Sequence, residues 1–93
     1  MVTAIVLINV KHGDINVVAD QLAGMQGIAE VYSVGGRFDL VAIIRVATNE
    51  EMAGLVTNSL VNIDGIEDTE TLMAFRAYSS YDLERMFAVG ADE

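Results

Sequence analysis

Ile5-Val6-Leu7-Ile8-Asn9-Val10, followed by Val18, Leu22, Met25, Gly27 and Ile28, is a pattern that this chain contains twice. The second copy lies 38 positions downstream with no gap: Ile5, Val6, Ile8, Val18, Leu22, Met25, Gly27 and Ile28 recur in character as Ile43, Ile44, Val46, Val56, Leu60, Ile63, Gly65 and Ile66. Each copy runs from an apolar stretch of strand length through a segment of helical spacing to Gly-Ile and a second strand. Two such β-α-β units folded together make the split arrangement called ferredoxin-like, βαββαβ, an α+β fold with a four-stranded antiparallel sheet. Identity between the copies is low, so the repeat speaks for architecture and not for chemistry.

Val2 to Val10 is rich in β-branched residues and too apolar for simple alternation, which predicts a strand covered on both faces. Gly13 breaks it, Asp14 is placed to cap the next helix, and Ile15, Val18, Leu22 and Met25 fall on one stripe. Gly27 closes that helix, and Ile28 to Gly35 reads as the second strand. Gly35-Gly36-Arg37 makes a tight connection into a third strand, Phe38 to Ala47. Thr48-Asn49-Glu50-Glu51 is a capping box, in which the Thr hydroxyl and the Glu carboxylate accept from reciprocal backbone amides. Met52, Leu55, Val56, Ser59, Leu60 and Ile63 then trace a buried helical stripe, Gly65 ends it, and Ile66 to Ala77 is the fourth strand. Ser79 or Ser80 caps a short C-terminal helix over about residues 80–89, with Leu83, Met86 and Phe87 on its apolar side. Gly90 to Glu93 is expected to fray.

With 93 residues the chain is one domain, residues 1–93, with its core in 2–78, because two cores would each be too small to bury enough surface. The two main helices cover one face of the sheet only, yet the first and third strands are apolar on both. The uncovered face therefore calls for a second subunit, giving a homodimer packed sheet against sheet in the manner of a dimeric α/β barrel. An apolar fraction of 53% fits a surface that is buried in an assembly.

Charge narrows the function classes. Fourteen acidic against five basic residues leave a net charge of −9, which repels a phosphate backbone and an anionic membrane surface alike. Direct nucleic-acid binding and membrane association are not expected. No run approaches the roughly 18 apolar residues of a spanning helix, and Met1 to Val10 lacks a signal peptide's basic start, so a cytoplasmic location is expected. The absence of cysteine excludes disulfides and thiolate metal sites.

Few residues carry chemistry. The single histidine, His12, sits in the turn Lys11-His12-Gly13 and reads as a surface residue rather than a general base or ligand. Glu67, Asp68 and Glu70 crowd the start of the last strand, but along an extended strand they lack the curved spacing of a cation loop. No metal site, cofactor or catalytic residue is expected. Gly35-Gly36-Arg37 lacks the helix that follows a phosphate loop, and reads as a hairpin whose positive φ values require Gly. Asp39 stands out one residue into an apolar strand. Its bland role is to accept from the amides of the preceding turn, and its functional one is to receive a ligand ammonium at a subunit edge. Thr69 and Thr71 lie on one face of the last strand, where two hydroxyls complete a polar pocket or simply favour the strand.

Gly36-Arg37-Phe38-Asp39-Leu40, the capped helix after it, and Asp64-Gly65-Ile66-Glu67-Asp68-Thr69-Glu70-Thr71 together resemble the effector-binding (RAM) domain of the Lrp/AsnC family. That family shows a Gly-x-Tyr/Phe-Asp turn opening the third strand and a Gly-Val/Ile-x-x-Thr-x-Thr run entering the fourth, and the similarity covers about residues 2–78. The resemblance implies sheet-joined dimers that often close into rings of dimers, and binding of amino acids or related metabolites in clefts between subunits. It carries the ligand-binding role over to Gly36, Arg37, Phe38, Asp39, Thr69 and Thr71. Asp39 then takes the ammonium, the threonines make polar contacts, and the turn amides hold the carboxylate. Family members carry an N-terminal helix-turn-helix, whereas here the first strand begins at Val2. The expectation is a stand-alone, non-enzymatic sensing module that acts in transcription regulation through oligomerisation or through full-length Lrp/AsnC regulators as partners. The same architecture hosts small monooxygenase-like enzymes, and a ligand-free assembly partner is a third reading.

Overall fold

The computed structural model describes residues 1–78. The expected cap at Ser79 or Ser80, the helix carrying Leu83, Met86 and Phe87, and the terminal stretch after it lie outside the described residues. The elements follow in the order β1 (Val2–Val10), α1 (Ile15–Ala23), β2 (Ile28–Ser33), β3 (Leu40–Val46), α2 (Asn49–Gly54) and β4 (Ile66–Ala74). A π-helical turn, Leu55–Ser59, and a 3-10 turn, Leu60–Asn62, prolong α2. The sheet order is β2-β3-β1-β4 with every neighbouring pair antiparallel, which is the ferredoxin-like fold.

Alternation along the strands separates two faces. Ala4, Val6, Ile8 and Val10 of β1 and Leu40, Ala42, Ile44 and Val46 of β3 are buried beneath the helices, against Val18 and Leu22 of α1 and Met52, Leu55 and Leu60 of the second helical segment. The opposite side chains form a second apolar set in register: Ile5 lies between Ile43 and Leu72, and Leu7 lies beside Val41. These are only half-buried or exposed, with Leu72 at 44%. One face is thus covered within the chain and the other is open, which is the face for which a second subunit is expected.

The second helical segment departs from its expected stripe for a local reason. The Thr57 hydroxyl donates to the Ala53 carbonyl, the acceptor that the Thr57 amide would use in a regular helix. Beside it the turn is π-helical, and the Leu60 amide reaches back five residues to Leu55. The extra residue leaves Ser59 exposed to solvent, while Leu60 is buried as expected. The inclusion of Ser59 in the buried stripe is corrected accordingly.

Two caps also differ from expectation. Thr48 Oγ1 accepts from the Glu51 amide at 3.1 Å, but the Glu51 carboxylate takes the amide of Ala47, at 3.3 Å, rather than that of the cap residue. Asp14 makes no side-chain capping bond. Its side chain instead lies against Gly65, where a β-carbon would meet Asp14 Oδ2 at 3.1 Å and Val18 Cγ2 at 2.9 Å. The Gly65 carbonyl accepts from the Lys11 amide at 2.7 Å, so this glycine joins the end of β1, the start of α1 and the entry to β4.

On the open face Tyr32 donates to Glu30 at 2.6 Å, and Arg45 pairs with the other Glu30 oxygen at 3.6 Å. The hydrogen bond to Glu30 and its charge push the Tyr32 phenol above its ordinary pKa, with nearby Arg45 opposing. The neutral phenol is the form favoured by folding, so its small contribution is present below the unfolded value near 10 and is lost as pH rises through the higher folded one. Glu30→Gln is expected to move the Tyr32 midpoint down toward 10 in an ultraviolet titration. An unchanged midpoint would remove Glu30 as the cause.

Candidate functional site

Gly36 to Asp39 and Thr69 lie toward the end of the sheet where β1 finishes and β3 and β4 begin, and Thr71 lies at mid-sheet opposite Val6. Strand register shows how. Ile8 pairs with Leu40 on one side and Thr69 on the other, Val6 pairs with Ala42 and Thr71, and Asn9 pairs with Asp68. The turn from β2 to β3 closes with the Val34 amide donating to the Asp39 carbonyl at 3.0 Å, and the Asp39 amide donates to Ile8 at 2.9 Å. Within that turn Gly36 alone has a left-handed backbone, with φ of 129°, so the glycine requirement rests on Gly36 and not on Gly35. Arg37 is exposed and Phe38 half-buried.

Asp39 is half-buried, and its Oδ2 accepts from the Val10 amide at 2.9 Å. That partner belongs to the adjacent strand, not to the preceding turn as the bland reading expected. The carboxylate thereby finishes the β1–β3 ladder at the point where β1 leaves the sheet.

Thr69 and Thr71 share the helix side of β4, with Thr69 exposed and Thr71 half-buried. The strand β1 lies between them and β3, so Asp39 and Thr69 are separated by two strand spacings, about 10 Å. The alternation also assigns them to different sides of the sheet. A single chain therefore presents the two motifs at one end of the sheet without joining them into one pocket.

A pocket of about 260 Å³ does open beside Thr69, lined by Leu60, Val61, Ile66, Glu67, Asp68 and Thr69. The β1–β4 register shifts there: Val10 pairs with Ile66 and Asn9 with Asp68, which leaves Glu67 as an extra residue. Such a bulge re-aims neighbouring side chains. Val61 is the one apolar signal the sequence offered for this pocket, since it falls off the buried stripe and is 68% exposed. Leu60, read as core, is also its floor. A larger and more open cleft of about 680 Å³ lies at the other end of the sheet, between the end of β3 and the π-helical turn, and it contains none of the motif residues.

His12 is exposed in its turn, as expected. Among the described residues no three His, Asp or Glu side chains converge as metal ligands, and no helix is long and apolar enough to cross a membrane.

Comparison with known proteins identifies this arrangement. The Lrp/AsnC ligand binding domain matches residues 3–83. The HTH-type transcriptional regulator FL11 of Pyrococcus furiosus is 32% identical over 77 residues, which make up 83% of this chain and 50% of that regulator. The chain thus spans about half the length of the curated relatives it matches. Among solved structures, TTHA0845 of Thermus thermophilus is 43% identical with a TM-score of 0.79, covering 85% of this chain and 99% of its own. The hypothetical protein PHS023 of Pyrococcus horikoshii is 26% identical with a TM-score of 0.78, covering 87% and 98%. On the strength of a family match that takes in both motifs and all four strands, this chain belongs to the Lrp/AsnC family, whose ligand-binding domain it forms.

Proposed function

We propose that this domain binds an amino acid at the junction of two subunits and serves transcription regulation through the assembly that the ligand favours. The observation that carries the proposal is the separation just described. Gly36, Arg37, Phe38 and Asp39 stand on one side of β1 and Thr69 and Thr71 on the other, and a cleft that uses both sets is completed by a neighbouring chain. In such a cleft Asp39 receives the ammonium, the turn amides receive the carboxylate, and the threonines supply hydroxyls.

The open apolar face supports a homodimer. Docking Ile5, Leu7, Val41, Ile43 and Leu72 on their counterparts removes apolar surface from water. Residues 1–93 act in this reading as one ligand-binding and oligomerisation unit in the cytoplasm, joining rings of dimers or full-length Lrp/AsnC regulators. The reading is non-enzymatic, because no residue at the site is a nucleophile poised beside a base.

A thermal-melt panel with each of the twenty amino acids at fixed protein concentration tests it. A ligand at 100 times its dissociation constant adds about 2.7 kcal/mol to the folded state, a shift of several degrees for a domain of this size. Asp39 needs a paired control, because it also accepts from the Val10 amide. Asp39→Asn keeps an acceptor for that amide and is expected to melt close to wild type with the ligand shift lost. Asp39→Ala is expected to lose the shift and about 1–3 kcal/mol of stability as well. A ligand shift that survives Asp39→Asn would take the ammonium role away from Asp39.

A further inference from the structure

Resting on that reading, we infer that the pocket beside Thr69 takes the ligand's side chain, and that the ligand class is a basic amino acid, an aliphatic stem with a cationic end. The pocket's shape and lining carry the inference. At about 260 Å³ it lies below the roughly 300–1,000 Å³ of sites that hold drug-sized molecules, which suits one side chain of a small metabolite. Its floor is apolar: Leu60 is 2% exposed and Ile66 is half-buried against the core. Val61 forms an apolar lip at 68% exposure.

The rim has the opposite character. Glu67 and Asp68 both border the pocket, and among the described residues no Lys or Arg does. The bulge at Glu67 places these two carboxylates in succession at the mouth. Asp68 is held there by its own neighbour, since its Oδ1 accepts from the Thr69 amide at 3.0 Å. Among the described residues, Oδ2 of Asp68 and both Glu67 oxygens accept from no protein donor.

An apolar floor under two carboxylates discriminates by charge as well as by size. A methylene stem covers Leu60, Val61 and Ile66, while an ammonium or guanidinium at its end meets Glu67 and Asp68 at the edge of solvent. An acidic side chain brings a third negative charge to the same mouth and is rejected. A purely aliphatic side chain fills the floor and leaves the carboxylates solvated, gaining only the burial. The domain's overall charge of −9 adds a general bias in the same direction, for cations and against anions.

The experiment measures affinity by calorimetry for L-lysine, L-arginine, L-norleucine and L-glutamate on the intact chain, wild type and Glu67→Gln/Asp68→Asn. Norleucine keeps lysine's methylene stem and lacks its charge. Asn at position 68 keeps an acceptor for the Thr69 amide, and both positions are exposed, so the variant is expected to fold normally. The expected result is lysine or arginine binding at least tenfold tighter than norleucine, no measurable glutamate binding, and loss of that tenfold preference in the variant. The preference should also weaken as salt is raised. Norleucine or glutamate binding as tightly as lysine, or a lysine preference untouched by the double substitution, overturns the inference and leaves amino-acid sensing intact. Failure of these ligands here together with a flat melt panel for all twenty amino acids overturns the sensing reading, and this inference with it.

Discussion

Replacing Gly65 with alanine is expected to lower the melting temperature by about 10–25 °C, about twice the effect of the same change at Gly13. Both glycines have left-handed backbones of similar φ, 99° and 91°. An L side chain in that conformation costs about 1–2 kcal/mol at either position. The surroundings differ. A β-carbon on Gly13 would have nothing within 4 Å, whereas one on Gly65 would lie 2.9 Å from Val18 Cγ2 and 3.1 Å from Asp14 Oδ2. Val18 is fully buried and cannot retreat without disturbing the core, so overpacking adds about 1–3 kcal/mol. With each kcal/mol worth about 4–8 °C in a domain of this size, Gly13→Ala should cost several degrees and Gly65→Ala about twice as much. Equal losses at the two positions, measured by thermal denaturation followed by circular dichroism, would show that packing at Gly65 contributes nothing beyond its φ.

A charge at the centre of the open face is the second large perturbation. Ile43→Asp is expected to convert the proposed dimer to a folded monomer at micromolar concentration. Ile43 pairs with Ile5, which pairs in turn with Leu72, so the substitution falls on an inner strand at the β3 end of the apolar row. An unpaired carboxylate buried between two sheets costs about 3–5 kcal/mol. At about 1.4 kcal/mol per factor of ten this is a loss of dimer affinity of roughly a hundredfold or more. The cost to the monomer is small, because Ile43 points away from the core under the helices. Val17→Asp is the matched control, since Val17 is 61% exposed on α1, on the other side of the molecule. Light scattering after size exclusion separates the cases. An unchanged mass for folded Ile43→Asp, or a monomer produced by Val17→Asp, would move the contact off the open face.

The elements that were legible in advance share a physical cause. The strand β1 is readable to the residue because a nine-residue run rich in β-branched side chains and bounded by Lys11-His12-Gly13 favours a strand over a helix. Thr48 was readable as a helix start because its hydroxyl needs only a backbone amide three residues on. The failures are equally specific. A buried stripe that includes Ser59 assumes a constant helical period, which the π-helical turn Leu55–Ser59 breaks. Asp14 was assigned a cap because its residue type and position allow one, but its side chain packs on Gly65, far along the chain.

For the site, the motif residues were legible singly and their relation was not. The repeat, the four strands, the two helical segments, the open apolar face and the turn and threonine motifs could all be read before folding was considered. Each of these depends on local spacing and residue type, which a linear chain displays directly. Folding in three dimensions was needed to establish that Asp39 serves the Val10 amide, that β1 stands between Asp39 and Thr69, and that Leu60 and Val61 meet Ile66, Glu67 and Asp68 around a pocket. Those facts depend on which strands become neighbours, on the register in which they pair, and on where a bulge or a widened turn shifts it. Register is set by the summed burial of all the strands and helices together, and no single stretch of sequence contains that sum.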